Sequence, residues 1–197
     1  MGLEQSEYSN YLTIGNGKIC KAVKEPTEKS IERKNKNDKI VYEEFYDKIS
    51  GNITGIEIKE HPEYGRFWLV TLEDKGEKFI LQMNYSSGYS SAFLKTLPNV
   101  NLSERVTLIP KITMNGDKKK VTLFISQNGN ALKHFYTKDN PNELPQMTKT
   151  EGKGKDKGKV LWDDSEMMEF LEAMVKNEII PKLNGAGGEP LQEEEML

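Results

Sequence analysis

Side chains able to do covalent or metal chemistry are scarce in this chain. His61 and His134 are its two histidines and Cys20 its one cysteine. That is too few for a zinc site built from the usual His and Cys ligands. Gly152-Lys153-Gly154-Lys155 lacks the glycine-to-lysine spacing of a phosphate-binding loop. No Gly-x-Ser-x-Gly elbow occurs. The chain therefore reads as a non-enzyme, with no catalytic residue, metal or cofactor expected. The chemistry it can do is non-covalent: lysines and arginines interleaved with aromatics. Single-stranded nucleic acid is held by cations that track phosphates and by aromatic faces on which bases stack, each stacked base worth about 1–3 kcal/mol. The candidates are Tyr64, Arg66 and Trp68, then Tyr85 and Tyr89 around a Ser/Gly segment. Further along lie Lys111, the run Lys118-Lys119-Lys120, Phe124, and Lys133 beside Phe135 and Tyr136. Some have a plainer reading. The lysine run fits a solvated hairpin tip, and Trp68 and Tyr85 share faces with apolar residues that suit a core.

Strands must position these residues. Tyr8 to Val23 reads as a hairpin turning at Asn16-Gly17. Residues 24–39 are almost wholly polar and read as a mobile loop. Ile40 to Ile58 is β-rich, with Gly51 and Gly55 marking a bulge or bend. Arg66–Glu73 shows little alternation and reads as a strand buried on both faces; Lys78–Tyr85 is a second strand. Ser86–Leu97 reads as a short helix stopped by Pro98, and Glu104–Thr113 and Lys119–Ser126 as two more strands. Ala131–Thr137 is a candidate for another. In the last long strand, Lys120, Thr122 and Phe124 share one face, opposite Val121, Leu123 and Ile125.

This order predicts a mainly β fold: a five-stranded OB-fold barrel with a short helix between strands 3 and 4. An extra N-terminal hairpin, a C-terminal amphipathic helix and a disordered acidic tail complete it. An SH3-like barrel is the rival but normally lacks that helix. An OB-fold cleft lies across the second and third strands, between two loops. Tyr64 and Arg66 fall on the first loop and Lys118–Lys120 on the second, so both are expected to face one cleft.

Charge divides the chain. Residues 1–162 hold 26 Lys and Arg against 21 Asp and Glu, a net of +5, while residues 163–197 hold 2 against 10, a net of −8. Such asymmetry points to a nucleic-acid-binding part with an acidic appendage. The expected organisation is a binding domain over 1–150, a Gly/Lys linker over 151–162, an amphipathic helix over 163–183 and a flexible acidic tail over 184–197. Met167, Phe170, Leu171, Met174 and Val175 form the helix stripe, Asp163 and Glu166 have capping-box spacing, and Pro181 is expected to end the helix. The stripe suits packing on the same domain, the favoured reading, or pairing with a second copy of the chain. No apolar run approaches the roughly 18 residues of a membrane span, and a single cysteine fits a reducing cytoplasm.

With these features the chain resembles the single-stranded-DNA-binding proteins of bacteriophages. The resemblance covers residues 40–137 and the acidic end, where Glu193, Glu194 and Glu195 precede Met196 and Leu197. It implies sequence-independent binding and protection of single-stranded DNA during replication, recombination and repair, in the cytoplasm of a bacterial host. It also implies a tail, here Glu193–Leu197, that recruits replication and recombination proteins and competes with DNA. Bacterial members usually end in Pro-Phe and phage members often in an aromatic, whereas this chain ends in Met-Leu. The other readings are a protein-interaction or virion-associated β-barrel module and a single-stranded-RNA binder.

Overall fold

A computed structural model describes residues 10–35, 37–116, 118–151, 158 and 160–186, apart from the side chains at 115, 118 and 186. The chain is mainly β, with 49% strand against 21% helix. In chain order the strands are β1 (Tyr11–Gly15), β2 (Lys18–Val23), β3 (Ile31–Lys34), β4 (Ile40–Tyr46), β5 (Ile49–His61), β6 (Gly65–Asp74) and β7 (Glu77–Asn84). Helix α1 (Gly88–Thr96) and a 3₁₀ turn (Leu97–Asn99) follow, then β8 (Val106–Asn115), β9 (Lys118–Gln127) and the two-residue β10 (Asn130–Ala131). A separate ribbon pairs β11 (Thr148–Glu151) with β12 (Val160–Asp163), ahead of α2 (Ser165–Met174), a π-turn (Val175–Ile179) and α3 (Ile180–Ala186).

The architecture overturns the five-stranded OB-fold barrel. Ten strands form one open mixed sheet in the order β10-β9-β8-β5-β6-β7-β1-β2-β4-β3. The physical reason lies at two edges. The outer edge of β7 is occupied by β1, which pairs with it in parallel through Tyr11–Ile80, Leu12–Leu81 and Thr13–Gln82. That edge is therefore closed to β9. Helix α1, meanwhile, packs against β9. A Cβ on Gly88 would lie 2.6 Å from Val121 Cγ2 and 3.0 Å from the Val121 carbonyl oxygen, so a residue without a side chain permits this approach.

The hairpin at Asn16-Gly17 forms as its sequence predicts, with both turn residues at positive φ. Strand β5 is long and bent: Ile49–Gly51 pairs with β8 and Asn52–His61 with β6, with a register shift between Ile53 and Gly55. Strand β6 is buried on both faces, as Leu69 and Val70 show. The polar segment 24–39 is not simply a loop, because it carries β3, paired with β4. Every residue of β3 is exposed, so this edge strand has no buried face to impose alternation. Bidentate contacts from Arg33 to Glu43 fasten it.

The C-terminal helix runs past Pro181. The Ile180 N–H reaches back five residues to the Val175 carbonyl, closing the π-turn. Pro181 then falls in the first turn of α3, where a missing N–H costs little. Glu166 does not close a capping box; instead Asp163 Oδ1 accepts from the Ser165 N–H at 3.0 Å. Met167, Met168, Leu171, Met174, Val175 and Ile179 are buried in one cluster with Trp68, Leu81, Phe93, Leu123 and Ile125. The acidic helix is thus packed on the sheet and shares its core. Glu151 and Val160–Trp162, expected within a linker, are strand residues; of the remainder of that stretch only Gly158 is described. Among the described residues no helix is long and apolar enough to cross a membrane.

Candidate nucleic-acid interface

A cationic concavity lies between α1 and β9. Ser87 caps α1, its Oγ accepting from the Ser90 N–H at 3.1 Å. Gly88, Ser91, Ala92 and Lys95 recur at i, i+3, i+4 and i+7, so they line one helical face. Their small size opens a groove of about 650 Å³ beside the strand, with Lys95 at its far end. Strand alternation turns Lys120, Thr122 and Phe124 outward while Leu123 and Ile125 are buried. The chain after β10 closes the groove with His134 and Tyr136. It is held there by the Phe135 N–H, which donates to the Lys95 carbonyl at 2.8 Å.

Among the described residues, Lys95, Lys119, Lys120 and His134 line this groove and no carboxylate does. Burial lowers the Lys95 pKa, partly offset by Asp164. Burial, then the positive charges of Lys95 and Lys120, lower the His134 pKa from its ordinary value. His134 is therefore neutral at pH 7, and an anion entering the groove would favour its protonation. Phe124 is 44% exposed at the same place. Cations and an open aromatic ring on one surface are what a single strand requires.

The other expected residues are distributed differently. Lys111 is exposed on β8 directly opposite Thr122, so it shares the outward face of Phe124. Lys119 donates to Asn16 Oδ1 at 3.0 Å. Lys118 begins β9, but its side chain lies outside the described residues. Lys133 is exposed on the segment leading to His134. Tyr89 is buried, its hydroxyl accepting from the Gly17 N–H at 2.9 Å. Trp68 is 1% exposed and offers no open face. The tail residues Glu193, Glu194, Glu195, Met196 and Leu197 lie outside the described residues.

Tyr64 and Arg66 were expected to face one cleft with Lys118–Lys120, and the structure puts Tyr64 in a different groove from Lys119 and Lys120. Tyr64, 59% exposed, stands beside His61 in a groove that also carries Lys59, Glu60, Glu63 and Phe67. That groove shares no residue with the one between α1 and β9. The reason is the pleat: Phe67 turns toward Tyr64, so its neighbour Arg66 turns to the opposite face of β6.

On that opposite face Arg66 already has a partner. Its Nη2 donates to Glu172 Oε2 on α2 at 2.7 Å, and its guanidinium carbon lies 4.1 Å from the Tyr85 ring centroid. The Tyr85 hydroxyl donates to the same Glu172 oxygen at 2.5 Å, and Lys176 Nζ donates to the other at 2.7 Å. Tyr85 also stacks on Trp68, with centroids 5.6 Å apart and planes 5° apart. Burial would raise the Glu172 carboxyl, but hydrogen bonds from Lys176, Tyr85 and Arg66 outweigh it and hold the group at about 2. Burial and then the Glu172 hydrogen bond push the Tyr85 hydroxyl up to about 12. This cluster fastens the acidic helix to the sheet and leaves Arg66 compensated.

Two groove residues escaped the reading of the sequence as binding groups, Lys95 and His134. The spacing of Gly88, Ser91, Ala92 and Lys95 was the available signal for the first. His134 carries no such mark, since its place depends on where the segment after β10 turns back. No family model, no curated protein and no solved structure matches this chain.

Proposed function

We propose that this chain is a non-catalytic protein that binds single-stranded DNA without regard to sequence, and that the groove between α1 and β9 holds the strand. The observation that carries the reading is the lining of Lys95, Lys119, Lys120 and His134, with no carboxylate among the described residues, around the exposed Phe124. Phosphates would meet the lysines while a base stacks on the phenyl ring. Lys111, opposite Thr122, and Lys133, next to His134 in the chain, are exposed lysines near the groove. The open sheet removes the fold-level part of the likeness to phage single-stranded-DNA-binding proteins, so the proposal stands on the groove's chemistry. Protection of DNA during replication and recombination in a bacterial cytoplasm remains the role that fits such binding. The acidic end Glu193–Leu197 would recruit replication partners and compete with DNA for the cationic groove.

Titration of fluorescent oligo-dT at a series of salt concentrations tests the reading. Three lysine–phosphate contacts give a slope of log K against log salt of roughly −2, at about −0.7 per contact on a single strand. No binding at low salt, or binding indifferent to salt, would reject it. Stronger binding of oligo-U than of oligo-dT would reassign the ligand to RNA.

A further inference from the structure

We infer that the β11–β12 ribbon carries a second base-stacking site, centred on Trp162, that continues the path of the strand beyond the α1–β9 groove. The inference rests on the proposed function and extends it to the ribbon, which brackets a Gly/Lys-rich stretch whose composition suggests a linker. Trp162 is 58% exposed, and Val160 and Leu161 beside it are exposed as well. Large apolar groups left open together are unusual on a surface without a ligand. Register places Lys149 directly opposite Trp162, and its Nζ lies 5.2 Å from the indole centroid. A lysine over an indole is a cation–π pair, which presents a positive charge and a π-face at one point.

The concavity beneath the indole has the same character as the first groove. It measures about 340 Å³ and takes Lys95 and Lys138 with Tyr136 and Trp162 into its lining, again without a carboxylate among the described residues. Lys95 and Tyr136 line both concavities. The two are therefore neighbours, with Lys95 at their junction. Asp164, which acts on Lys95, is an acidic group near this junction. A strand stacked on Phe124 would pass Lys95 and reach Trp162 with phosphates near Lys138 and Lys149. Charge complementarity and continuity with the first groove select single-stranded nucleic acid as the occupant.

The chain has two tryptophans, and Trp68 is 1% exposed in the core. Emission quenched by an oligonucleotide therefore reports on Trp162. The full-length protein is titrated with oligo-dT of about 5 and about 20 nucleotides, lengths that bracket common site sizes. Anisotropy of a labelled oligonucleotide is followed beside intrinsic emission. The longer oligonucleotide should quench the wild type, and Trp162→Phe should abolish most of that quenching. Trp162→Ala should weaken the longer oligonucleotide by roughly 5- to 150-fold, the equivalent of one stacked base. Trp162→Phe, which keeps a ring, should restore most of the affinity. Phe124→Ala should weaken both lengths.

Anisotropy that reports tight binding while Trp162 emission and the Trp162→Ala affinity stay unchanged would overturn the second site and leave the proposed function standing. Absence of any anisotropy change in the wild type would overturn the proposed function and this inference with it. Quenching relieved by deleting residues 189–197, with no further response to DNA, would assign the indole to the chain's own acidic end and overturn the inference.

Discussion

Replacing Glu172 by Gln tests how the acidic helix is held on the sheet. The carboxylate accepts from Arg66, Tyr85 and Lys176 and is 13% exposed. Its pKa is held at about 2, against about 4.3 for an ordinary glutamate. A depression of roughly 2 units, at 1.36 kcal/mol each, sets a ceiling of about 3 kcal/mol. Arg66 and Lys176 remain partly solvated, at 37% and 59% exposure, so screening brings the expected loss at pH 7 to about 1–2 kcal/mol. The folded pKa lies below the unfolded one, so the contribution is complete above about pH 4.3 and disappears as pH falls through 2. Urea unfolding of wild type and Glu172→Gln should therefore show a gap at pH 7 that narrows between about pH 5 and pH 2. A gap below about 0.5 kcal/mol at pH 7, the scatter of neutral surface changes, would refute the reasoning. So would a gap that does not vary with pH.

Two further perturbations address the groove. His134 has a lowered pKa, set by burial and then by Lys95 and Lys120, and a bound phosphate would raise it again. Affinity for oligo-dT should thus rise as pH falls from about 7.5 to about 5.5, a range spanning the ordinary histidine pKa. His134→Asn should flatten that rise, and an unchanged pH profile in the variant would clear His134 of the role. Gly88→Ala would place a methyl 2.6 Å from Val121 Cγ2. It should destabilise the protein by about 1–3 kcal/mol, and thermal unfolding at an unchanged temperature would show that α1 can shift without cost.

Local pattern and long-range pairing were not equally legible in the sequence. Alternation along β7 and β9 and the Asn16-Gly17 turn marked those elements because the signal sits in adjacent residues. The parallel pairing of Tyr11–Thr13 with Ile80–Gln82 has no local signature, and it is what keeps the sheet open. Strand β3 was hidden because Ile31, Glu32, Arg33 and Lys34 face solvent on both sides. Pro181 suggested a helix end, but the π-turn ahead of it lets the helix continue. At the site, Lys119, Lys120 and Phe124 were readable from charge and face. Arg66 looked equally available, and its neutralisation depends on Glu172, which is 106 residues away. Trp68 was ambiguous between core and stacking and Tyr89 stood as a stacking candidate, and packing of α1 and α2 over the sheet buries both.

Charge reversal in the groove between α1 and β9 should remove its affinity for single-stranded DNA. Lys119→Glu with Lys120→Glu alters two exposed side chains and should leave the circular dichroism spectrum and unfolding temperature close to wild type. Anisotropy with labelled oligo-dT at low salt should then show binding in the wild type and a loss of at least about 100-fold in the variant, since two phosphate contacts become two repulsions. Equal affinity in wild type and variant would contradict the account.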